Sequence, residues 1–166
     1  MDKNNIVLIG MPGVGKSTVG VVLAKKLGYA FVDADLVIQG REGKLLHEII
    51  AEQGVEGFWR TEESVGESID VRRTVVATGG SAVYGERAMA HYKQIGMVVY
   101  LSLPLEGIRE RLGDLAERGV TLKAGQDLDG LYAERQPLYE RYADATVECE
   151  GLQIREIVEK IVKITA

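Results

Sequence analysis

The apolar run Ile6-Val7-Leu8-Ile9 leads directly into Gly10-Met11-Pro12-Gly13-Val14-Gly15-Lys16-Ser17, and a helix-forming stretch follows. This is G-x-x-x-x-G-K-[ST] in the context the motif requires, a buried strand before it and a helix after it. Its glycines let backbone N–H groups turn inward around phosphate oxygens, where side chains would block the approach. Gly13, Val14, Gly15, Lys16, Ser17 and Thr18 form the expected triphosphate-binding set. Lys16 is placed for the β- and γ-phosphates and the Ser17 hydroxyl for Mg²⁺, while the helix adds its positive N-terminal dipole. The pattern implies binding of a nucleoside triphosphate.

The rest of the chain alternates strand and helix, which predicts a largely parallel sheet covered on both faces. Strands are expected at Ile6–Gly10, Ala30–Asp33, Thr74–Thr78, Met97–Ser102 and Thr146–Glu148. The first helix should run from Lys16 to about Leu27 and stop at Gly28. A helical stretch over about 45–70 is interrupted near Gly54–Gly57, and further helices are expected over 85–93, 104–112 and 127–142. Leu152, Ile154, Ile157, Val158, Ile161 and Ile164 recur at helical spacing, so the last helix should pack on the sheet. The polar segment about 113–126 carries Gly113, Gly119 and Gly125 and reads as a water-excluding lid or as an inert surface loop.

A length of 166 residues with 46% hydrophobic content suits a single domain over 1–166. The net charge of −5 argues against a nucleic-acid partner. The lone Cys149 excludes an internal disulfide, and its best reading is an apolar filler at a strand end. No signal-peptide pattern and no membrane-length apolar run is visible, so a cytoplasmic protein with no membrane partner is expected. His47 and His91 lack a metal-site pattern around them. An N-K-x-D motif is missing, and Asp127-Leu128-Asp129-Gly130 sits at a predicted helix start, which disfavours a GTPase.

Two further motifs sit at strand carboxyl ends, where ligands bind in open α/β sheets. Asp33-Ala34-Asp35 closes the second strand, and a spacing of two puts both carboxylates on one side if extension persists to Asp35. One would assist Mg²⁺ through water and the other grip an acceptor hydroxyl; the alternative is a pair of solvated helix caps. Thr78-Gly79-Gly80-Ser81 closes the third strand, either where substrate approaches the backbone or as a plain turn.

The loop, Asp33-Ala34-Asp35, Phe58 through Glu63, Gly79-Gly80 and Arg135-Gln136-Pro137-Leu138-Tyr139 together resemble the shikimate kinase family, over nearly the whole chain. The resemblance implies a five-stranded parallel sheet in order 2-3-1-4-5, ATP and Mg²⁺, a small hydroxylated substrate, and transfer of the γ-phosphoryl group to shikimate. It also implies substrate-binding helices over about 34–70. Carried over by position, Ser17 and Asp33 serve the metal, Lys16 and Asp35 catalysis, and Asp35, Glu62, Gly79, Gly80 and Arg135 the acceptor. Arg111 matches an adenine-stacking arginine, Arg118 a lid arginine reaching the phosphates, and Gln153 the adenine site. A monomer is expected.

Three departures stand out. The family's Phe-Arg-x-x-Glu reads Phe58-Trp59-Arg60-Thr61-Glu62, so Trp59 replaces a carboxylate-binding arginine at a substrate position. Arg60 is an imperfect substitute, because one helical residue turns a side chain by about 100°. Ser81 ends the glycine run, and the lid pattern is blurred into Arg118-Gly119-Val120-Thr121-Leu122. Loss of one charge-assisted hydrogen bond, roughly 1.5–3 kcal/mol, weakens a carboxylate clamp about 10- to 100-fold. Trp59 either stacks on a less charged acceptor or packs into the core. The alternatives to shikimate are another polyol or a sugar acid, or a nucleotide-binding relative without transfer activity.

Overall fold

The computed structural model describes residues 4–112 and 120–166. Five parallel strands, β1 (Asn5–Ile9), β2 (Ala30–Asp33), β3 (Thr74–Ala77), β4 (Gly96–Ser102) and β5 (Ala145–Glu148), form one sheet in the order 2-3-1-4-5. β1 lies at the centre, and all five of its residues are buried, which explains its unbroken apolar run. Asn5 pins the lower edge: its amide nitrogen donates to the Val71 and Ile95 carbonyls, each at 2.9 Å, and its oxygen accepts from the Thr74 N–H at 3.0 Å. Those bonds tie the entries of β1, β3 and β4 together, so their carboxyl ends emerge side by side.

Helix α1 (Lys16–Leu27) begins after Gly15 and ends at Gly28. α2 covers Ala34–Glu42 and α3 Leu46–Ser68. α4 (Glu86–Ile95), α5 (Leu105–Arg111), α6 (Leu128–Tyr142) and α7 (Ile154–Thr165) complete the cover, with a 3-10 turn at Ala82–Tyr84. The expected break in α3 falls at Gly54 alone, whose φ of 76° and ψ of 171° leave the helical region. The stripe on the last helix buries Ile157, Val158 and Ile161 in the main core. Cys149 is buried there too, just past β5.

β2 ends at Asp33, as the sequence predicts. Extension does not persist to Asp35, because α2 starts at Ala34. The cause is local: the Asp33 carboxylate accepts the Asp35 backbone N–H at 3.0 Å, an N-cap that ends the strand and nucleates the helix. Asp33 closes the strand and Asp35 stands in the first turn of α2, so the two carboxylates do not share one strand face. No helix among the described residues is long and apolar enough to cross a membrane.

Candidate active site

The loop wraps the space above β1. Gly13 and Gly15 have φ of 85° and 102°, left-handed conformations that a side chain resists. A Cβ on Gly13 would also stand 2.9 Å from the Leu112 side chain. Lys16 is buried, and its ammonium donates to the Gly10 and Met11 carbonyls at 2.6 and 2.8 Å. Burial lowers its pKa to about 8, with Arg135 adding to the shift and Asp35, Asp33 and Glu62 opposing it. Ser17 and Thr18 are exposed on the first turn of α1. The Ser17 hydroxyl donates to Asp33 Oδ2 at 2.6 Å, so the hydroxyl and carboxylate expected to serve a metal touch each other.

Val14 is held under Arg111, whose Nη1 donates to the Val14 carbonyl at 3.0 Å. Arg111 therefore lies over the loop, on the side where the resemblance puts an adenine ring. Gln153 precedes α7, with its backbone N–H on Glu156 Oε1 at 3.1 Å. The next residue, Ile154, comes within 4.0 Å of a Cβ built on Gly15. Gln153 and Arg111 thus both border the loop. Arg118 falls outside the described residues, as does the first half of the lid expected over 113–126.

The acceptor end is built around two glycines after β3. A Cβ on Gly79 would stand 2.6 Å from Glu62 Oε2 and 2.7 Å from Asp35 Oδ1. The missing side chain is what lets α2 and α3 point two carboxyl groups at one spot. A Cβ on Gly80 would likewise meet Arg135 Nη1 at 3.0 Å and Pro12 at 2.7 Å. The Gly80 carbonyl accepts from the Tyr139 hydroxyl at 2.6 Å, which fixes α6 against this turn. Close approach, rather than a plain turn, accounts for the Gly-Gly pair.

Charge in this pocket is poorly solvated. Burial, reinforced by Asp33 and opposed by Lys16, raises the Asp35 pKa to about 6. Burial raises that of Glu62 to about 8, against the hydrogen bond that its Oε1 accepts from Ser81 at 2.6 Å. Ser81, a departure from the family's glycine run, therefore has a job as a carboxyl partner. Glu62 Oε2 and Arg135 Nε are buried with no hydrogen-bond partner among the described residues. Such orphans are rare in native structures, where over 90% of buried polar groups are paired. Both sit beside Gly79-Gly80, and a bound molecule with a hydroxyl and an anionic group would satisfy them.

The family model described as shikimate kinase matches residues 12–166. The chain belongs to the shikimate kinase family. It is 38% identical to the shikimate kinase of Chlorobium chlorochromatii over 95% of this chain and 88% of that protein. It is also 38% identical to the shikimate kinase of Thermodesulfovibrio yellowstonii, over 96% and 93%. Among solved structures, the shikimate kinase from Acinetobacter baumannii, in complex with shikimate, matches with a TM-score of 0.82 at 32% identity, covering 96% and 91%. Members of the shikimate kinase family are small-molecule kinases with ATP as phosphoryl donor, and the sheet order and P-loop kinase fold agree with that class.

Within that family frame the carboxylate end is unusual. Trp59 stacks on Tyr84 with centroids 4.0 Å apart and an interplanar angle of 12°, and its Nε1 donates to Thr121 Oγ1 at 3.0 Å. The core reading holds in part, for the half-buried indole packs against the small cluster of Ile38, Ile49, Phe58 and Val65, while its N–H is tied to a residue within the expected lid. Arg60 is exposed and lines an outer cleft with Gln53, Leu122 and Lys123. Tyr84, Thr121 and Glu134 were not identifiable in advance. They come from three separate segments, and no spacing in the sequence links them.

Proposed function

We propose that this kinase transfers the γ-phosphoryl group of ATP to shikimate, giving shikimate 3-phosphate. The observation that carries the proposal is the pair of buried, unpartnered groups beside Gly79-Gly80. Glu62 Oε2 and the neighbouring Asp35 suit a ring hydroxyl, and Arg135 Nε–H suits a carboxylate on the same small molecule. The complex of the Acinetobacter baumannii relative with shikimate supports the same choice.

The chemistry follows from placement. Asp35 orients the attacking hydroxyl; its oxygen bonds to the γ-phosphorus as the bridge to ADP breaks, and the proton passes late to Asp35. A loose transition state needs positioning more than base strength. Lys16 and the backbone N–H groups of Gly13, Val14, Gly15, Ser17 and Thr18 stabilise charge on the transferred oxygens. Arg111 and Gln153 border the nucleotide, and the family resemblance assigns the phosphates to Arg118 as well. Residues 34–70 supply the acceptor wall, including Trp59 at its rim. A hydroxyl and a carboxylate in contact, Ser17 and Asp33, are hard oxygen donors that fit Mg²⁺. When bound there, the ion would neutralise phosphate charge.

A coupled ADP-release assay over a panel of shikimate, other polyols and sugar acids tests the proposal. Saturable turnover with shikimate, at a kcat/KM above every other acceptor by tenfold or more, is expected. Preference for an uncharged polyol or for a sugar acid would overturn it, and Trp59 in place of an arginine is the feature that would explain such a result.

Glu62 gives a pH test. Its ordinary pKa is 4.5 and its folded value about 8, so between those values the folded chain keeps a proton that the unfolded chain has lost. Stability contributed by this group is full below about pH 4.5 and falls as pH rises toward 8, by roughly 1.4 kcal/mol per unit. Glu62→Gln removes the slope, so urea midpoints of variant and wild type should separate progressively, in the variant's favour, from pH 5 to pH 8. Parallel midpoints across that range would contradict a raised Glu62 pKa.

A further inference from the structure

Four segments converge on the Thr121 hydroxyl and the ring of Tyr84. Thr121 is only 2% exposed. Its Oγ1 accepts Trp59 Nε1–H at 3.0 Å and Arg135 Nη2–H at 2.8 Å, and its carbonyl accepts Arg135 Nη2 at 3.1 Å. A hydroxyl oxygen has two acceptor lone pairs, so these two donors occupy both. Tyr84 closes the figure. It stacks on Trp59, lies 5.4 Å from the Arg135 guanidinium carbon, and donates its hydroxyl to Glu134 at 2.6 Å. One face of the indole is covered by Tyr84 and its only donor is engaged, so little of Trp59 is left for direct contact with an acceptor.

The consequence falls on Arg135. Its Nη2 is engaged by Thr121, its Nη1 lies beside Gly80, and its Nε–H alone is buried and unpartnered. A guanidinium is planar, so two hydrogen bonds from one amino group, with a ring beside the guanidinium carbon, restrict where Nε–H points. We propose that Trp59 is a positioning residue that sets acceptor specificity: it locks Thr121, and Thr121 holds Arg135 in the one orientation that presents Nε–H to the acceptor's carboxylate. The chain has thereby exchanged a second cation at this end for a rigid single one. This rests on the acceptor reading above, in that the carboxylate belongs to shikimate.

The chain holds a single tryptophan, so the indole N–H gives one resonance that needs no assignment. In the empty protein, Thr121→Val should shift that resonance upfield, and Trp59→Phe should shift the Arg135 Nε–H signal, identified by its loss in Arg135→Lys. In kinetics, Trp59→Phe and Thr121→Val should each raise the acceptor KM about tenfold, with kcat and the ATP KM within twofold of wild type. The double variant should be no worse than either single one, and Thr121→Ser, which keeps the hydroxyl, should restore wild-type KM. A merely structural tryptophan would lower the melting temperature of Trp59→Phe and leave acceptor KM within twofold. That result, multiplicative effects in the double variant, or unmoved resonances would overturn the proposal. If wild type ignores shikimate altogether, the acceptor assignment fails, while the resonances still judge the lock.

Discussion

Lys16→Ala is expected to lower the rate of phosphoryl transfer by roughly 10³-fold, on the scale of removing a preorganised donor to a developing anion. The ammonium rests on the Gly10 and Met11 carbonyls, and Lys16 is 8% exposed. A triphosphate entering the loop offers far better acceptors than two neutral carbonyls. It also reverses the burial effect that holds the pKa near 8, since an adjacent polyanion favours the charged amine. Lys16→Arg is expected to recover less than a tenth of the lost rate, because a planar fork does not fit the space of a compact ammonium. Steady-state ADP release with saturating acceptor measures both variants. Retention of more than a tenth of wild-type kcat by Lys16→Ala would remove the lysine from the transfer step.

Asp35→Asn should reduce kcat by about 10²- to 10³-fold while leaving ATP affinity within threefold near pH 6.5, in the range of a lost positioned base. The substitution keeps the shape beside Gly79 and removes only the charge that orients and finally deprotonates the hydroxyl. The pH profile carries the sharper test. With a pKa of about 6 in the empty enzyme, Asp35 is protonated below that value, so wild-type kcat/KM for the acceptor should fall on the acid side near pH 6. Asp35→Asn should lack that limb. A second effect has the opposite pH sense. Asp35 is the largest influence keeping Lys16 charged, so in the variant Lys16 loses its proton at lower pH and ATP binding weakens earlier toward alkaline pH. A variant with wild-type turnover, or with the acid limb intact, would contradict the role given to Asp35.

The nucleotide half of the site was legible because its chemistry is carried by one contiguous segment. Backbone N–H groups, a lysine and a hydroxyl at fixed offsets need no long-range packing to meet, and the alternation of strand and helix then dictates the sheet. The carboxyl-end rule also placed Asp33, Asp35, Gly79 and Gly80 on the correct side. What local pattern left open was whether Asp35 shares the strand face of Asp33: β2 ends at Asp33, as the sequence reads, and the cap of Asp33 on the Asp35 N–H starts α2 there. Glu62 and Arg135 were reached through resemblance, whereas their state, buried with one unpaired atom each, depends on contacts across α3, α6 and the β3 turn. The Trp59–Thr121–Arg135 lock lies further still from sequence logic. Its members are separated by 62 and 14 residues, and a threonine inside a blurred lid pattern carries no signal of its own.

The most direct measurement is phosphorus NMR of the full-length protein incubated with Mg-ATP and shikimate. Growth of one phosphate-monoester resonance, equimolar with the ADP formed and slowed about 10²-fold or more in Asp35→Asn, is the predicted outcome. ADP appearing with inorganic phosphate alone, or bound ATP that stays intact with shikimate in excess, would mean that the loop does not aim its terminal phosphoryl group at a hydroxyl held between Asp35 and Glu62.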